Sequence, residues 1–408
     1  MTVTETIESY VETRVTETRL TSAWWAVAAR FLVHGLVVSA WVSRIPAVQA
    51  LLHLSNGALG MALLGAAIGS VSAIPVCGWL VSRYGSSRVA NWTSVGFCLA
   101  LVLPALAVNV VTLFAALFVY GAMAGANDVA MNSQAVAIEL KMKSPTMSRF
   151  HAMFSIGGMV GAALGGWVAA HHVVPWIHLS LGAAVFISIT LATTPLMLEV
   201  HDHLEKPEHS LPFRRIPPVL LALCFIGFCI FLSEGAMADW TAVYLKQVLA
   251  AGPGLAAMGY AVFSAGMAIF RLVGDAITTR FGPARTVRTA ALVAASGLGL
   301  ALLAPSAYWA LPGFAAAGAG FSVIIPLVFG AGGRVKSVGR GAGVATVSGI
   351  GYLGFLFGPP VIGFVSQLTS LRYALWIIVA LSVTAALLSG AVDGDSRPQK
   401  NGGLTSAG

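Results

Sequence analysis

Three carboxyl groups stand inside apolar stretches of the sequence where charged residues are scarce: Asp128, Glu234 and Asp275. An ionisable side chain at the centre of a membrane helix costs about 2.5–3.5 kcal/mol on insertion scales, so each needs a function or a partner. A carboxyl that passes between wet and dry surroundings can load and release a proton, which is the chemistry of proton coupling. We predict Glu234 as the first candidate for that chemistry and Asp128 as the second.

A cation, an imidazole and an indole share one face of the first apolar segment. Arg30, His34 and Trp41 are spaced i, i+4 and i+11, which places them along one side of a helix. If they line a cavity, these groups suit a polar, hydroxylated or anionic solute. The spacing therefore predicts one wall of a solute site.

Amide side chains accompany Asp128 on another helix. Asn132 lies one turn beyond Asp128, and Asn127 and Gln134 occupy an adjacent stripe. Three roles stay open for Asp128: proton coupling, an ion pair with Arg30, and a local hydrogen bond. Trp240, which follows Asp239, completes the predicted substrate-binding set. The set is Arg30, His34, Trp41, Asn127, Asn132, Gln134 and Trp240.

Two opposite charges, Arg271 and Asp275, are four residues apart on a further apolar segment. An intrahelical ion pair is the simplest account of that spacing, in a structural or gating role. His151 stands just after Arg149 where a helix is predicted to begin, a position more typical of an interfacial histidine than of a functional one.

The composition places these residues in a membrane protein. Of 408 residues, 57% are apolar and only 9% are Asp, Glu, Lys or Arg, against roughly 25% charged residues in an ordinary soluble domain. The net charge of +8 is not gathered into a dense basic cluster, so no nucleic-acid partner is expected. The four cysteines form no CxxC pair and no phosphate-binding glycine motif occurs, so the sequence predicts neither a metal site nor a cofactor.

Long charge-free runs define the membrane spans, because a helix needs about 20 apolar residues to cross about 30 Å of hydrocarbon. The pattern predicts an all-α membrane protein with twelve transmembrane helices, near residues 23–43, 57–81, 88–108, 112–138, 149–170, 176–198, 218–243, 255–278, 287–305, 309–332, 340–366 and 372–391. The predicted parts are a polar tail (residues 1–22), an N-terminal six-helix bundle (23–198), a linker (199–217), a C-terminal six-helix bundle (218–391) and a disordered tail (392–408).

Lys and Arg are distributed unevenly between the predicted loops. If both termini lie on one side, that side collects 18 of the 23 basic residues, and the opposite loops hold only Arg44, Lys246 and Arg372. Cytoplasmic loops of membrane proteins carry an excess of Lys and Arg. We therefore predict that both termini are cytoplasmic.

The two halves of the chain repeat a pattern. The loops at residues 83–88 and 280–285 read RYGSSR and RFGPAR, an arginine, an aromatic residue and a glycine followed by a second arginine. The predicted fifth and eleventh helices carry stripes of small residues at matching spacings, within 155–165 and 348–358. Small residues on one stripe let helix backbones approach closely, so we predict two pseudo-symmetric bundles packed within one chain.

The loop at 78–88 carries a family resemblance. Twelve spans in a 6+6 arrangement, with Gly78-x-x-x-Ser82-Arg83-x-Gly85-x-x-Arg88 between the second and third predicted helices, resemble the major facilitator superfamily. The superfamily usually has Asp where this chain has Ser82. Similarity to a bacterial inner-membrane branch associated with fucose-permease-like proton symporters comes from the segments 130–135, 147–151, 234–240, 271–275 and 349–360.

The resemblance implies alternating access, in which two bundles rock about a site near the midplane lined mainly by helices 1, 4, 7 and 10. The basic loops then hold the cytoplasmic side closed in one state, although they are also plain anchors of orientation. The predicted gate and loop-motif residues are Gly78, Arg83, Gly85, Arg88, Arg271, Asp275, Arg280, Gly282 and Arg285.

The expected function is secondary active transport of a small polar, sugar-like solute by proton symport, in a monomer in the inner membrane. Proton-coupled efflux of amphipathic compounds is the nearest alternative, since Trp and Phe are plentiful. A membrane-embedded enzyme is a remote alternative because the intramembrane carboxyl groups are single and dispersed. A transport-inactive sensor is equally remote.

Overall fold

The computed structural model describes residues 3–144, 146–198, 216–335 and 338–396, and its regular elements in these ranges are helical. The α-helices are α1 Val3–Val42, α2 Ile45–Leu51, α3 Asn56–Tyr84, α4 Ser86–Ala100, α5 Val110–Met142, α6 Met147–Ala170, α7 Pro175–Thr193, α8 Pro218–Gln247, α9 Pro253–Phe281, α10 Pro283–Leu303, α11 Ala307–Phe321, α12 Ile324–Gly332, α13 Arg340–Leu368 and α14 Leu371–Leu388. Short 3-10 turns follow α4, α7 and α14.

Twelve helical segments within the described residues are long and apolar enough to cross a membrane, as the sequence predicted. The tenth span consists of α11 and α12, which are separated by a break at Ser322 and Val323. The predicted linker falls almost wholly outside the described residues, at 199–215, as do residues 397–408 of the predicted disordered tail.

The first helix begins earlier than predicted. α1 starts at Val3, so most of the segment predicted as a polar tail is helix continuous with the first span. No Gly or Pro occurs between residues 3 and 34, so nothing in the sequence interrupts the helix before the apolar segment starts.

Local sequence signals explain where many helices begin. Proline occupies the first position of α7, α8, α9 and α10, where its missing N–H group would be unpaired in any case. Ser55 caps α3 by accepting a hydrogen bond from the Ala58 N–H group at 3.2 Å. Asn109 and Thr112 form a reciprocal capping box at the start of α5.

The repeated basic loops adopt one backbone conformation. Gly85 has φ 84° and Gly282 has φ 81°, both in the region that favours glycine. Each glycine N–H group closes the preceding helix with a 2.9 Å hydrogen bond, to the carbonyl of Val81 or of Thr278. The two loops are therefore structural repeats as well as sequence repeats.

The stripes of small residues pack helices within each bundle. A methyl group added at Gly161 of α6 would overlap Ser39 of α1, and one added at Gly354 of α13 would overlap the backbone of α8 at Phe228. The fifth span thus packs on the first, and the eleventh on the seventh. These contacts confirm the prediction that the stripes serve packing inside one chain.

Two helix pairs join the bundles. α6 packs on α9 through Gly166, which faces Gly254 and Ala257, and α3 packs on α13 where Gly60 meets Pro359 and Gly363. The fifth span therefore meets the eighth, and the second meets the eleventh. This arrangement leaves a space between the bundles that both can line.

The outer surface is apolar. Large side chains such as Trp25, Trp167, Trp309, Leu303 and Leu368 are exposed to the extent of 60–85% of their surface. Exposure of this kind around a whole helical bundle is a liability in water but is the expected surface toward lipid. The surface therefore agrees with a multi-pass membrane protein.

Candidate solute site

Three carboxyl groups lie inside the molecule at mid-depth of the bundles: Asp128 on α5, and Glu234 and Asp239 on α8. Each is surrounded by protein, yet each keeps part of its own surface accessible. This combination is typical of a side chain that lines an internal cavity. Since α5 and α8 belong to different bundles, we infer a solute cavity between the bundles that these side chains line.

A tyrosine lies within electrostatic range of carboxyl groups of both bundles. Tyr352 of α13 is close enough to interact electrostatically with both Asp128 and Glu234. Its ring stacks on Phe231, with the ring centroids 5.0 Å apart. The sequence reasoning did not select Tyr352, although it lies within the 349–360 segment that carried the family resemblance.

Asp128 makes a local hydrogen bond. The side-chain amide of Asn132 donates to Asp128 Oδ1 at 3.0 Å and to the Asp128 carbonyl at 2.8 Å. Of the three roles left open for Asp128, the structure contains the local hydrogen bond. Arg30 binds Asn91 and Thr194 instead of Asp128. The ion pair between Asp128 and Arg30 is therefore not present in this conformation.

Arg30 points into its own bundle rather than into the cavity. Its Nη2 atom donates to Asn91 Oδ1 on α4 and, at 3.0 Å, to Thr194 Oγ1 in the turn after α7. Only 1% of the arginine surface is exposed. In this conformation Arg30 is therefore not accessible to solute, because the face of α1 that carries it packs against α4 and α7.

His34 lies on the same buried face. Asn127 Nδ2 donates to His34 Nδ1 at 2.9 Å, and Asn127 Oδ1 accepts from Ser94 Oγ at 2.6 Å. These bonds join α1, α4 and α5 inside the N-terminal bundle. His34 and Asn127 were predicted to bind solute, but here they are almost fully buried and bind each other.

Three more residues of the predicted substrate-binding set belong to the packed interior. Gln134 is fully buried and donates to Ser86 Oγ at 2.8 Å and to the Leu198 carbonyl at 3.0 Å. Trp41 and Trp240 are buried in the hydrophobic core, out of reach of solute in this conformation. Of the predicted set, Asn132 alone keeps accessible surface at the cavity.

Arg271 joins the bundles and is not paired with Asp275. Its Nη1 atom, on α9, donates to Ser155 Oγ of α6 at 2.7 Å and to the His151 carbonyl at 3.3 Å. Arg271 also lies close enough to Glu234 for electrostatic interaction. Asp275 is exposed, and the described residues contain no ion pair between it and Arg271.

The predicted intrahelical ion pair fails because the Arg271 side chain extends across the interface between α9 and α6. There the small side chain of Ser155 leaves room and supplies an acceptor. The sequence showed Ser155 only as the first member of a small-residue stripe. The imidazole of His151 takes no part in this contact and lies edge-on to Phe31, with the ring centroids 5.3 Å apart.

Neutral amide groups join the bundles at the side opposite the chain termini, which we term the distal side (residues 43–56, 246–254 and 367–371). Gln247 Nε2 donates to Gln49 Oε1 at 3.1 Å and to Asn56 Oδ1 at 3.2 Å, and Gln49 Nε2 donates to Asn56 Oδ1 at 2.8 Å. Lys246 Nζ adds a 3.2 Å bond to the Pro46 carbonyl. Sequence reasoning missed this amide cluster because Gln and Asn at helix ends, where polar residues are common, carry no distinctive signal.

The basic loops occupy the opposite side, which we term the terminal side (residues 79–88 and 278–286). Arg83, Arg88, Arg280 and Arg285 are all exposed there. Arg83 lies over the ring of Trp79 at 5.7 Å, and Arg280 lies over Phe281 at 5.4 Å, so both contact their own helix. A side chain added at Gly78 would meet nothing within 4 Å.

The hydrogen bonds between the bundles that the described residues make are thus found on the distal side and at mid-depth. The molecule is closed at the amide cluster, and its basic loops do not hold the terminal side together in this state. Among the described residues, no group of three His, Cys, Asp or Glu side chains could hold a metal ion. The four cysteines are free and buried.

Comparison with known proteins agrees with this architecture. The family model of the Major Facilitator Superfamily matches residues 26–335. An uncharacterized MFS-type transporter of Yersinia pestis is 36% identical over 89% of this chain and 94% of its own length. The fold is shared with a point mutant of the nucleoside transporter NupG, at a TM-score of 0.72 and 14% identity over 90% of this chain and 99% of that one. It is also shared with the transporter FucP in the outward conformation, at a TM-score of 0.62 and 16% identity over 90% of this chain and 97% of that one. Its twelve spans, its repeated halves and these matches place the chain in the Major Facilitator Superfamily, as a multi-pass membrane transporter and not an enzyme.

Proposed function

We propose that this transporter moves a small polar, hydroxyl-bearing solute across the inner membrane of a bacterium by proton-coupled symport, as a monomer. The observation that carries the proposal is a pair of carboxyl groups, Asp128 in one bundle and Glu234 in the other, that line the same interior space. Tyr352 interacts electrostatically with both. A carrier of this kind needs titratable groups that both bundles can present to solute and proton in turn.

The chemistry of the cavity fits a sugar, a polyol or a nucleoside. Asp128, Glu234 and Asp239 offer carboxyl oxygens that accept hydrogen bonds from hydroxyl groups, and Asn132 offers an amide. The aromatic face of Tyr352 can cover the apolar side of a sugar ring or a base. The shared fold of the nucleoside transporter NupG supports this class of solute.

We assign proton coupling to Glu234 because it lies near Arg271, the arginine that joins α9 to α6. Ionised Glu234 attracts Arg271 and competes with Ser155 and the His151 carbonyl. Protonated Glu234 leaves Arg271 with those acceptors. The proton on Glu234 thus changes the contact between the bundles, as a coupled carrier requires.

We propose the orientation in which both chain termini are cytoplasmic, following the excess of Lys and Arg in the loops of the terminal side. The amide cluster then closes the periplasmic side, and the conformation described here faces inward. In the outward-facing state, Arg83, Arg88, Arg280 and Arg285 would close the cytoplasmic side.

Efflux of an amphipathic cation is the second candidate, and one observation favours it. Phe231, Tyr352 and Phe355 form an aromatic cluster beside the carboxyl groups, with Phe231 centred 5.0 Å from Tyr352 and 4.9 Å from Phe355. Aromatic faces next to carboxylates bind hydrophobic cations well.

Thermal unfolding of the purified protein in detergent distinguishes the two candidates. A ligand that binds the folded state alone raises the melting temperature. We expect stabilisation by a sugar, a polyol or a nucleoside, and pH-gradient-driven uptake of that compound into proteoliposomes. Stabilisation by hydrophobic cations alone would contradict symport and favour efflux.

The variant Glu234→Gln tests the coupling residue. We expect it to abolish accumulation driven by a pH gradient while solute exchange across the membrane continues, because exchange needs no net proton release. Asp275 was predicted as a gate residue, but in this structure it is exposed and, among the described residues, its carboxyl makes no hydrogen bond or ion pair with the other bundle. Asp275→Asn is therefore the matched control and should accumulate solute normally. Normal accumulation by Glu234→Gln would remove this residue from the coupling mechanism.

A further inference from the structure

The N-terminal bundle buries a guanidinium group that has no acidic partner. Arg30 is 1% exposed, and its two bonded acceptors, Asn91 Oδ1 and Thr194 Oγ1, are neutral and share the Nη2 atom. The Nε and Nη1 atoms of Arg30 are buried and make no hydrogen bond. No carboxylate of the described residues lies within salt-bridge distance of the guanidinium.

A second buried donor near Arg30 lacks an oxygen or nitrogen acceptor. Hydroxyl groups elsewhere on α7 donate to the carbonyl four residues back, as Ser188 does to Ala184 and Thr193 does to Ile189, both at 2.9 Å. Thr190 Oγ1 is fully buried and makes no such bond, and the polar group beside it is the thiol of Cys98, a weak hydrogen-bond acceptor. Thr190 is one helical turn before Thr194, so it lies on the α7 face that meets Arg30.

Residues of α4 complete the enclosure around these donors. The thiol of Cys98 lies near both Arg30 and the Thr190 hydroxyl. On the other side of the guanidinium, Thr194 Oγ1 donates to Asn91 Oδ1 at 3.0 Å. The unpartnered N–H groups of Arg30 and the Thr190 hydroxyl therefore lie together where α1, α4 and α7 meet.

The positive charge of Arg30 decides whether water or an anion is the better ligand at this position. Water would satisfy the hydrogen-bonding groups but would leave the buried positive charge without a counterion. An uncompensated buried charge costs more free energy than an unpaired hydrogen-bonding group. A small anion satisfies both, and a spherical one accepts N–H and O–H donors from any direction. We propose that Arg30 and Thr190 bind a chloride ion inside the N-terminal bundle.

This site is separate from the solute cavity and independent of the proposed symport. It lies between the helices of one bundle, whereas the cavity lies between the bundles. The anion holds α1 against α4 and α7, so chloride stabilises the fold of the N-terminal bundle without being transported.

Thermal unfolding of the full-length protein in detergent tests the site. Sodium chloride, sodium bromide and sodium gluconate are compared at constant ionic strength. We expect chloride and bromide to raise the melting temperature with a saturable dose dependence, and gluconate, which is too large for the site, to leave it unchanged. Equal melting temperatures in chloride and gluconate would overturn the proposal.

Two α7 variants locate the effect. Thr190→Val keeps the shape of the side chain but removes a donor to the anion, so we expect roughly tenfold weaker chloride dependence. Ser188→Ala removes an α7 hydroxyl that bonds only to its own helix, and it should keep the wild-type response. An unchanged chloride response in a folded Thr190→Val protein would exclude this site.

Bromide also provides a direct measurement. In crystals grown with bromide, we expect an anomalous difference peak within hydrogen-bond distance of Arg30 Nε or Nη1. A well-ordered Arg30 without such a peak would overturn the assignment, whatever the effect of halides on the melting temperature.

Discussion

The two sides of this transporter present different chemistry to the interface between its bundles. On the distal side, Gln49, Asn56 and Gln247 join the bundles through neutral amide hydrogen bonds. On the terminal side, the repeated loops present exposed arginines such as Arg83 and Arg280, which contact aromatic rings of their own helices.

The difference teaches how a carrier can alternate between two closures of comparable free energy. A neutral hydrogen bond contributes only about 0.5–1.5 kcal/mol net, so the amide cluster can form and break without a large barrier. Arginines that are exposed in one state are free to bind helix ends in the other. The contacts on each side are thus strong enough to favour one conformation and weak enough to be broken when the carrier changes to the other.

The largest effect should come from locking the distal side. In a chain without its four native cysteines, we expect Gln49→Cys with Gln247→Cys to join through a short bifunctional crosslinker and to abolish transport. The matched pair Arg83→Cys with Arg280→Cys should not crosslink in the same state. Efficient crosslinking on the terminal side but none on the distal side would reverse the assignment of the closed end.

Removal of the Arg271 contact should have the next largest effect. Arg271→Gln loses the short charged hydrogen bond to Ser155, worth about 1.5–3 kcal/mol, so we expect the ratio of this conformation to the opposite one to fall roughly 10- to 100-fold. Spin labels on the exposed distal positions Leu51→Cys and Ala250→Cys report that ratio as a distance distribution. Asp275→Asn is the control, and an unchanged distribution in Arg271→Gln would show that Arg271 does not hold the bundles.

The amide cluster itself should give a smaller shift. Gln247→Leu removes the bonds to Gln49 and Asn56, which are partly exposed and neutral, so we expect roughly a fivefold shift toward distal opening with the same spin labels. Gln367→Leu loses only a 3.5 Å contact with Ser55 and should stay within about twofold of wild type. A larger shift in Gln367→Leu than in Gln247→Leu would place the latch elsewhere.

The smallest effect on this conformation should follow changes on the terminal side. Arg83→Gln and Arg280→Gln alter exposed side chains, so we expect changes within about 0.5 kcal/mol in the spin-label equilibrium. Solute exchange should slow, because the opposite state loses its arginine contacts. A collapse of solute affinity with normal exchange rates would show that these arginines are not gate residues.

Much of the fold follows from one-dimensional patterns. The twelve spans were predicted because charge-free runs of sufficient length have few alternatives to membrane helices. The loop glycines Gly85 and Gly282 were visible as repeats because only glycine adopts their positive φ without strain. The early start of α1 was missed because polar residues were taken as the end of the helix, although helix formation needs no apolar residue.

The solute site was predicted less completely. Glu234, Asp128 and Asn132 were found because polar groups in apolar segments stand out, and all three keep part of their surface accessible in the structure. Tyr352 and Asp239 were not selected for it. Arg30, His34, Asn127 and Gln134 stood out for the same reason, but they bond inside their own bundle.

The sequence alone therefore determined the membrane environment, the number of spans, the repeat, the family and the identity of the polar residues that need an explanation. Only the tertiary structure decided which of them meet the cavity, which atoms Arg271 binds and which side is closed. The physical reason is that helical periodicity determines which side chains share a face, whereas the rotation of each helix about its axis depends on packing against its neighbours. Arg30 and Arg271 are both arginines within spans, and packing alone directs one into a bundle and the other across the interface between bundles.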